Sequence, residues 1–295
     1  MHKEVKLSMV GVMNHCLGLQ VKQKDDGTLF SQSKYIKILI KHSDLEKAGH
    51  KSTSAAIHLK TIKDDAGTKT DQTIFRSMIG SLLYSTASRP DLAFADIGIR
   101  AKCQADLKEN HLLQEKRITK YACREDDLEF WYTKDHNPHW VGDCDADWAG
   151  NVEDRKNTSG SCFLLGNTLD SQFSKKENSI SLSTVEAEYI TVGSCSTQLL
   201  WMKQMLSEYG VEQKEMTLYC ENMSAISICK NPVQYSRTKH IYIRHHFIRE
   251  LVEQKVVTLN HVTTYKQLAD ILTKPLDAAQ FETLRSFLGL CVVKH

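Results

Sequence analysis

The order of short apolar runs and one long amphipathic run in the second half of the chain constrains the fold most. Residues 140–145, 162–165 and 169–174 are strand-length runs, and 216–220 and 256–262 are two more. Between the third and fourth, Ser183-Thr184-Val185-Glu186 has capping-box spacing, and Tyr189, Val192, Leu199, Met202, Met205 and Leu206 give an apolar helical face before Gly210. Asn222 is placed to cap a short helix ended by Asn231-Pro232; residues 237–253 read as another helix, and 264–274 as a last short one stopped by Pro275. Three strands, a long helix, a strand, helices, a strand and a helix predict an α/β arrangement, a mixed sheet with flanking helices.

The first half has a different character. Leu17, Leu19 and Val21 alternate up to Asp25-Asp26-Gly27, and Leu29 resumes the alternation, which predicts a β-hairpin. Ser33 precedes Tyr35, Ile36, Leu39 and Ile40 at helical spacing, residues 49–72 are a polar linker, and 74–121 read as a helical connector. The chain turns polar at 132–139, with Pro138 as punctuation, so the expected division is 1–134 and 135–295. At 295 residues, two domains of ordinary size fit.

Four acids fall at telling positions in this pattern. Asp145 ends the first strand of the second half, Glu188 lies in the long helix, Glu221 ends the fourth strand, and Asp270 sits in the last helix. Taken singly, each fits a solvated surface position, as most Asp and Glu do. Gathered at one sheet edge, they would suit Mg²⁺, which takes hard oxygen ligands. Two such ions roughly 3.5–4 Å apart activate a water and stabilise a leaving oxygen in phosphodiester hydrolysis. Glu186, the third residue of the helix, is read as the cap partner rather than a ligand.

Several motifs carry a resemblance that sharpens this. They are Ser77-Met78-Ile79-Gly80-Ser81-Leu82-Leu83-Tyr84, Ser88-Arg89-Pro90-Asp91, Asp145-Ala146-Asp147-Trp148-Ala149-Gly150 and Asp154-Arg155-Lys156-Asn157-Thr158-Ser159-Gly160. Ser181-Leu182-Ser183-Thr184-Val185-Glu186-Ala187-Glu188-Tyr189, Ser236-Arg237-Thr238-Lys239-His240-Ile241 and Gln267-Leu268-Ala269-Asp270-Ile271-Leu272-Thr273-Lys274 follow in order. In these the chain resembles copia-type LTR retrotransposon Pol polyproteins. The resemblance implies a reverse transcriptase C-terminal remnant and connection over 1–134, a smaller α+β or helical unit, and a ribonuclease H-like domain over 135–295.

It further implies a nuclease that cuts the RNA strand of RNA:DNA hybrids with two Mg²⁺ ions, Mn²⁺ being an alternative. Asp145 would bridge both ions, Glu188 and Glu221 would hold one, and Asp270 would hold the other and position the attacking water. No polymerase activity is implied here, since the chain has no Tyr-x-Asp-Asp and Asp25-Asp26 reads as a turn. The reverse transcriptase palm and fingers are partners that the resemblance places outside this chain.

The pattern is not followed everywhere. The family's Cys-Asp-Asn-x-Ser-Ala-Ile appears as Cys220-Glu221-Asn222-Met223-Ser224-Ala225-Ile226, where Glu adds a methylene and carries the oxygens about 1–1.5 Å further out, a displacement catalysis feels. Gln172 stands where a Trp is usual, Asp143-Cys144 where Tyr-Ser is common, and Ala122-Cys123 in place of Leu-Lys-Gly. The alternative reading is therefore an inactive or domesticated relic that keeps the fold and a nucleic-acid-binding surface.

With 38 basic and 36 acidic residues, nucleic-acid affinity must come from clustering. Between 230 and 249 there are five Lys or Arg and no acid, and Arg237, Lys239, His240 and Arg244 are candidate phosphate contacts, with Lys175 and Lys176 as further ones. His245 and His246 lack partners at zinc spacing and read as helix residues. Nine scattered cysteines without a C-x-x-C pair read as reduced thiols of an intracellular, cytoplasmic or nuclear protein. Residues 7–21 are too short and polar to span a bilayer, so no membrane association is expected.

Overall fold

The computed structural model describes residues 11–42, 51–55, 72–95, 109–134, 138–150, 155–177, 180–231 and 247–292. In the first part, β1 (His15–Cys16), β2 (Leu19–Lys24) and β3 (Gly27–Ser31) lead into α1 (Ser33–His42), α2 (Gln72–Ser85), α3 (Glu109–Arg124) and β4 (Leu128–Thr133). The expected hairpin is present, with Lys24 opposite Gly27 and Asp25-Asp26 as its turn. Gly27 is required there, because a Cβ would stand 2.4 Å from the Tyr132 carbonyl oxygen on β4.

The second part contains β5 (Trp140–Asp147), β6 (Thr158–Leu165), β7 (Thr168–Lys176), α4 (Thr184–Glu208), β8 (Met216–Cys220), α5 (Met223–Lys230), α6 (Phe247–Glu253) and β9 (Val257–His261). These strands form one sheet in the order β7-β6-β5-β8-β9. The β7-β6-β5 side is antiparallel and the β5-β8-β9 side parallel. This is the α/β mixed sheet with flanking helices expected for a ribonuclease H-like fold. Its central strand is β5, the strand that carries Asp145.

Alternation along β5 sends Cys144 and Ala146 to one face and Asp143, Asp145 and Asp147 to the other. The Cys144 face is covered by α4, α5 and α6 in a core that includes Phe163, Val192, Leu199, Leu218, Ile248 and Leu259. The opposite face joins the first part of the chain, where Cys162, Leu164 and Leu169 share a core with Ile118, Tyr121, Phe130, Leu272 and Leu284. Gln172 adds a tie across this seam, its Nε2 donating to the Thr86 carbonyl at 3.1 Å.

After β9 the chain makes two 3₁₀ segments, Thr264–Lys266 and Leu268–Leu272, rather than the single short helix expected over 264–274. Gln267 divides them: its Oε1 accepts from Ala269 N while its Nε2 donates to the Cys144 carbonyl at 2.9 Å, so the chain is tied to β5 where a continuous helix would lift off it. The chain then crosses the seam, with α7 (Ala278–Phe287) and β10 (Leu290–Val292), and β10 pairs antiparallel with β4 at the edge of the first sheet. No helix among the described residues is long and apolar enough to cross a membrane, and the described cysteines are free thiols.

Candidate metal centre

Parallel pairing of β5 with β8 sets Cys144 opposite Cys220, so the next residues on the two strands, Asp145 and Glu221, emerge side by side at the same sheet end. Asp270 arrives from the 3₁₀ turn of 268–272, which lies on the Asp145 face of the sheet. One carboxylate oxygen from each of Asp145, Glu221 and Asp270 lies within 4.8 Å of the others. Asp145 and Asp270 are 1% and 0% exposed, while Glu221 is half-buried.

Close approach of the turn to the sheet depends on Gly160, the cross-strand partner of Asp145. A Cβ at 160 would stand 2.6 Å from Thr273 Cγ2 and 2.9 Å from Leu272 Cβ, both closer than side chains tolerate. Ser174, next across on β7, holds the same turn by donating to the Leu272 carbonyl at 2.5 Å. We therefore expect Gly160→Ala to lower stability by about 1–3 kcal/mol through overpacking and to move Asp270 away from Asp145. Urea denaturation and Mn²⁺ titration check the two effects, and a variant that matches the parent in both contradicts the packing described.

Glu188 stands apart from the three. It lies on α4, which covers the Cys144 face, so its carboxylate approaches the sheet end from the other side and accepts a hydrogen bond from the backbone of Ala146. Cys220 Sγ donates to Glu188 Oε2 at 3.7 Å. Burial first, then Cys220, Asp145 and Glu221, push the Glu188 carboxyl up to about 10. Burial and the Asp145 charge likewise push Asp270 up to about 8. Electrostatically the four form one cluster; by ligand distance three of them do.

The donors are hard oxygens, and several are left without hydrogen-bond partners: Asp145 Oδ1, Glu221 Oε2 and Asp270 Oδ2 are buried and unsatisfied. Buried polar atoms are nearly always paired, so three converging carboxylates that each keep an unsatisfied buried oxygen fit a divalent cation. The longer Glu221 side chain still delivers an oxygen to the group.

Three further residues shape the site. Thr273 Oγ1 donates to Asp145 Oδ2, and Gln267 ties the turn to β5. Lys274 enters the cluster itself, its Nζ 2.9 Å from Asp270 Oδ1, 3.6 Å from Asp145 Oδ2 and 3.9 Å from Glu221 Oε1. Lys274 is four residues after Asp270, a spacing that brings side chains together on a helical turn, and that was the signal available in the sequence. Glu186 is the cap partner, accepting from Leu182 N while its own N–H donates to Ser183 Oγ.

The candidate nucleic-acid residues divide. Lys175 and Lys176 lie on the sheet-edge strand β7 just past Ser174, and alternation puts Lys176 on the same face as Ser174 and the Asp270 turn. Arg237, Lys239, His240 and Arg244 lie outside the described residues, as do His245 and His246.

No protein-family model matches the chain. It is 34% identical over 280 residues, 94% of its length, to the retrovirus-related Pol polyprotein from transposon RE1 of Arabidopsis thaliana, and covers 19% of that protein. It is 32% identical over 299 residues, 98% of its length, to the retrovirus-related Pol polyprotein from transposon TNT 1-94 of Nicotiana tabacum, and covers 22% of it. The chain thus spans about a fifth of the length of the curated relatives it matches. Among solved structures, the N-terminal RNase H domain of a Mycobacterium tuberculosis protein, 10% identical, aligns with 50% of this chain and 97% of that one at a TM-score of 0.36.

Proposed function

This chain belongs with the retrovirus-related Pol polyproteins of copia-type transposons, and from that premise we propose that it is a metal-dependent endonuclease cutting the RNA strand of RNA:DNA hybrids. Residues 1–134 are then the reverse transcriptase remnant and connection, and 135–295 the ribonuclease H-like domain. The observation that carries the reading is the convergence of Asp145, Glu221 and Asp270 with unsatisfied buried oxygens.

In this reading Asp145, Glu221 and Asp270 would hold Mg²⁺ or Mn²⁺, with Glu188 as the fourth acid of the cluster beside Glu221. When bound, two such ions supply an activated water and charge stabilisation at the leaving oxygen. Thr273 fixes the orientation of Asp145, and Gln267 fixes the turn that presents Asp270. The hybrid is gripped through shape and 2′-hydroxyl groups rather than sequence, with Lys175, Lys176, Arg237, Lys239, His240 and Arg244 on its phosphates. The palm and fingers of a reverse transcriptase are the protein partners that fit.

The test is a hybrid with a labelled RNA strand, incubated with Mg²⁺ or Mn²⁺ beside a DNA duplex control. Cutting of the RNA strand alone, and only with metal, is the expected result; no cutting at any metal concentration would sink the nuclease reading. A second reading, a relic that keeps the fold, is favoured by Glu221 in place of the family's Asp. It predicts that Glu221→Asp restores cleavage to an inert parent.

A further inference from the structure

The most unusual feature of the cluster is that a cation already sits in it. Lys274 Nζ makes contacts of 2.9, 3.6 and 3.9 Å with the same three residues whose carboxylates converge. The chain prepares this placement: Lys274 N donates to the Asp270 carbonyl at 3.1 Å, which fixes the start of the side chain one turn from its partner. We propose that Lys274 is an internal counter-ion of this site, holding the three carboxylates together without metal and yielding the space between them to a divalent cation. The inference rests on the metal-site reading above and adds the residue that sets how tightly the site loads.

The crowding of acids motivates it. Three acidic side chains and one ammonium share the same space, and two of the acids are almost wholly buried. Without Lys274 the acids would repel across a few ångströms of low-dielectric space. A dication must share those oxygens with the ammonium or displace it. Displacement is open to Lys274, because its side chain is 28% exposed while those of Asp145 and Asp270 are 1% and 0%. The stem can swing to solvent and leave the backbone hydrogen bond in place, as long amphipathic side chains do.

A salt bridge that only stabilises the fold predicts something else. Its loss would lower stability and leave intrinsic metal affinity as it was. A counter-ion predicts that removing the charge tightens metal binding, because no like charge competes for the oxygens.

The test uses the full chain and Mn²⁺ alone, with free Mn²⁺ read by electron paramagnetic resonance and heats by titration calorimetry. Lys274→Met is expected to bind Mn²⁺ at least about ten-fold more tightly than the parent, and Lys274→Arg, which keeps the charge, to stay within about three-fold of it. If Lys274→Met does not fold, Lys274→Gln carries the same expectation. Binding by the parent that is unchanged or weakened on removing the charge overturns this inference and leaves the metal site standing. Absence of Mn²⁺ binding from the parent and every variant overturns both.

Discussion

Replacing Asp91 with alanine is expected to destabilise the protein by about 3–5 kcal/mol, the cost of leaving a buried charge without its partner. The stranded charge is Arg89, 1% exposed, which forks onto Asp91 through Nε–Oδ1 at 3.0 Å and Nη2–Oδ2 at 2.8 Å. Arg89 Nη1 also donates to the Glu125 carbonyl at 2.6 Å, Tyr121 OH donates to Asp91 Oδ2 at 2.5 Å, and Arg285 Nη1 donates to Tyr121 OH at 2.9 Å. Arg285 lies on α7, so the network fastens the chain's end to α3. Replacing the pair by well-packed apolar residues need not cost anything; removing one member does. Denaturation in urea reads the loss.

The same network sets an acid limb. Burial pushes the Asp91 carboxyl up, but the Arg89 charge and the hydrogen bonds from Arg89 and Tyr121 outweigh it and hold it below its usual 3.8. A carboxylate lowered in the folded state contributes stability that is whole above its unfolded value and is lost as pH falls through the folded one. The parent should therefore lose this contribution below about pH 4, and Asp91→Ala should lack that component. A variant with the parent's midpoint and acid slope would show that the network is idle.

Most strands of the second half were legible as short runs rich in apolar residues, and the long helix because its Ser183 cap is written locally; Ser183 Oγ does accept from Glu186 N. Two other elements depend on distant contacts. β4 carries Leu128, Phe130 and Tyr132 in alternation, but Asp126-Asp127 just before it and the polar stretch after it disguised the run as a boundary. β10 is three residues long and pairs with β4 some 160 positions earlier, Leu290 opposite Phe130, so no local pattern announces it. α7 lies beyond the last helix expected from the sequence, although it has a local cap, Asp277 Oδ1 accepting from Ala279 N and Gln280 N.

The site was legible through motifs more than through spacing. Asp145 and Glu221 owe their meeting to a parallel register, which alternation within one strand does not specify. Glu188 looked equivalent in sequence, yet α4 brings it in from the opposite face. Lys274 belongs to the Asp270 motif, and its spacing signals a contact with Asp270 alone; the contacts to Asp145 and Glu221 come from the fold.

Asp145→Asn is the substitution expected to cost most in function. Asp145 sits on the central strand, lies within ligand distance of both Glu221 and Asp270, and is oriented by Thr273. The amide keeps the size and accepts the Thr273 hydrogen bond, but it carries no charge and offers one weak oxygen donor instead of two strong ones. Groups one shell out from a metal already cost 10–100-fold when removed, so on the proposed nuclease reading loss of Asp145 as a ligand should reduce hybrid cleavage by more than about 100-fold. Folding should survive, because the substitution removes a negative charge from a buried cluster of like charges, and far-ultraviolet circular dichroism checks it. A cation that binds only the folded state raises the melting temperature by mass action. Mn²⁺ should therefore raise that of the parent and leave that of Asp145→Asn nearly unmoved. Full Mn²⁺ stabilisation of a folded Asp145→Asn would place the cation elsewhere and remove Asp145 from the site.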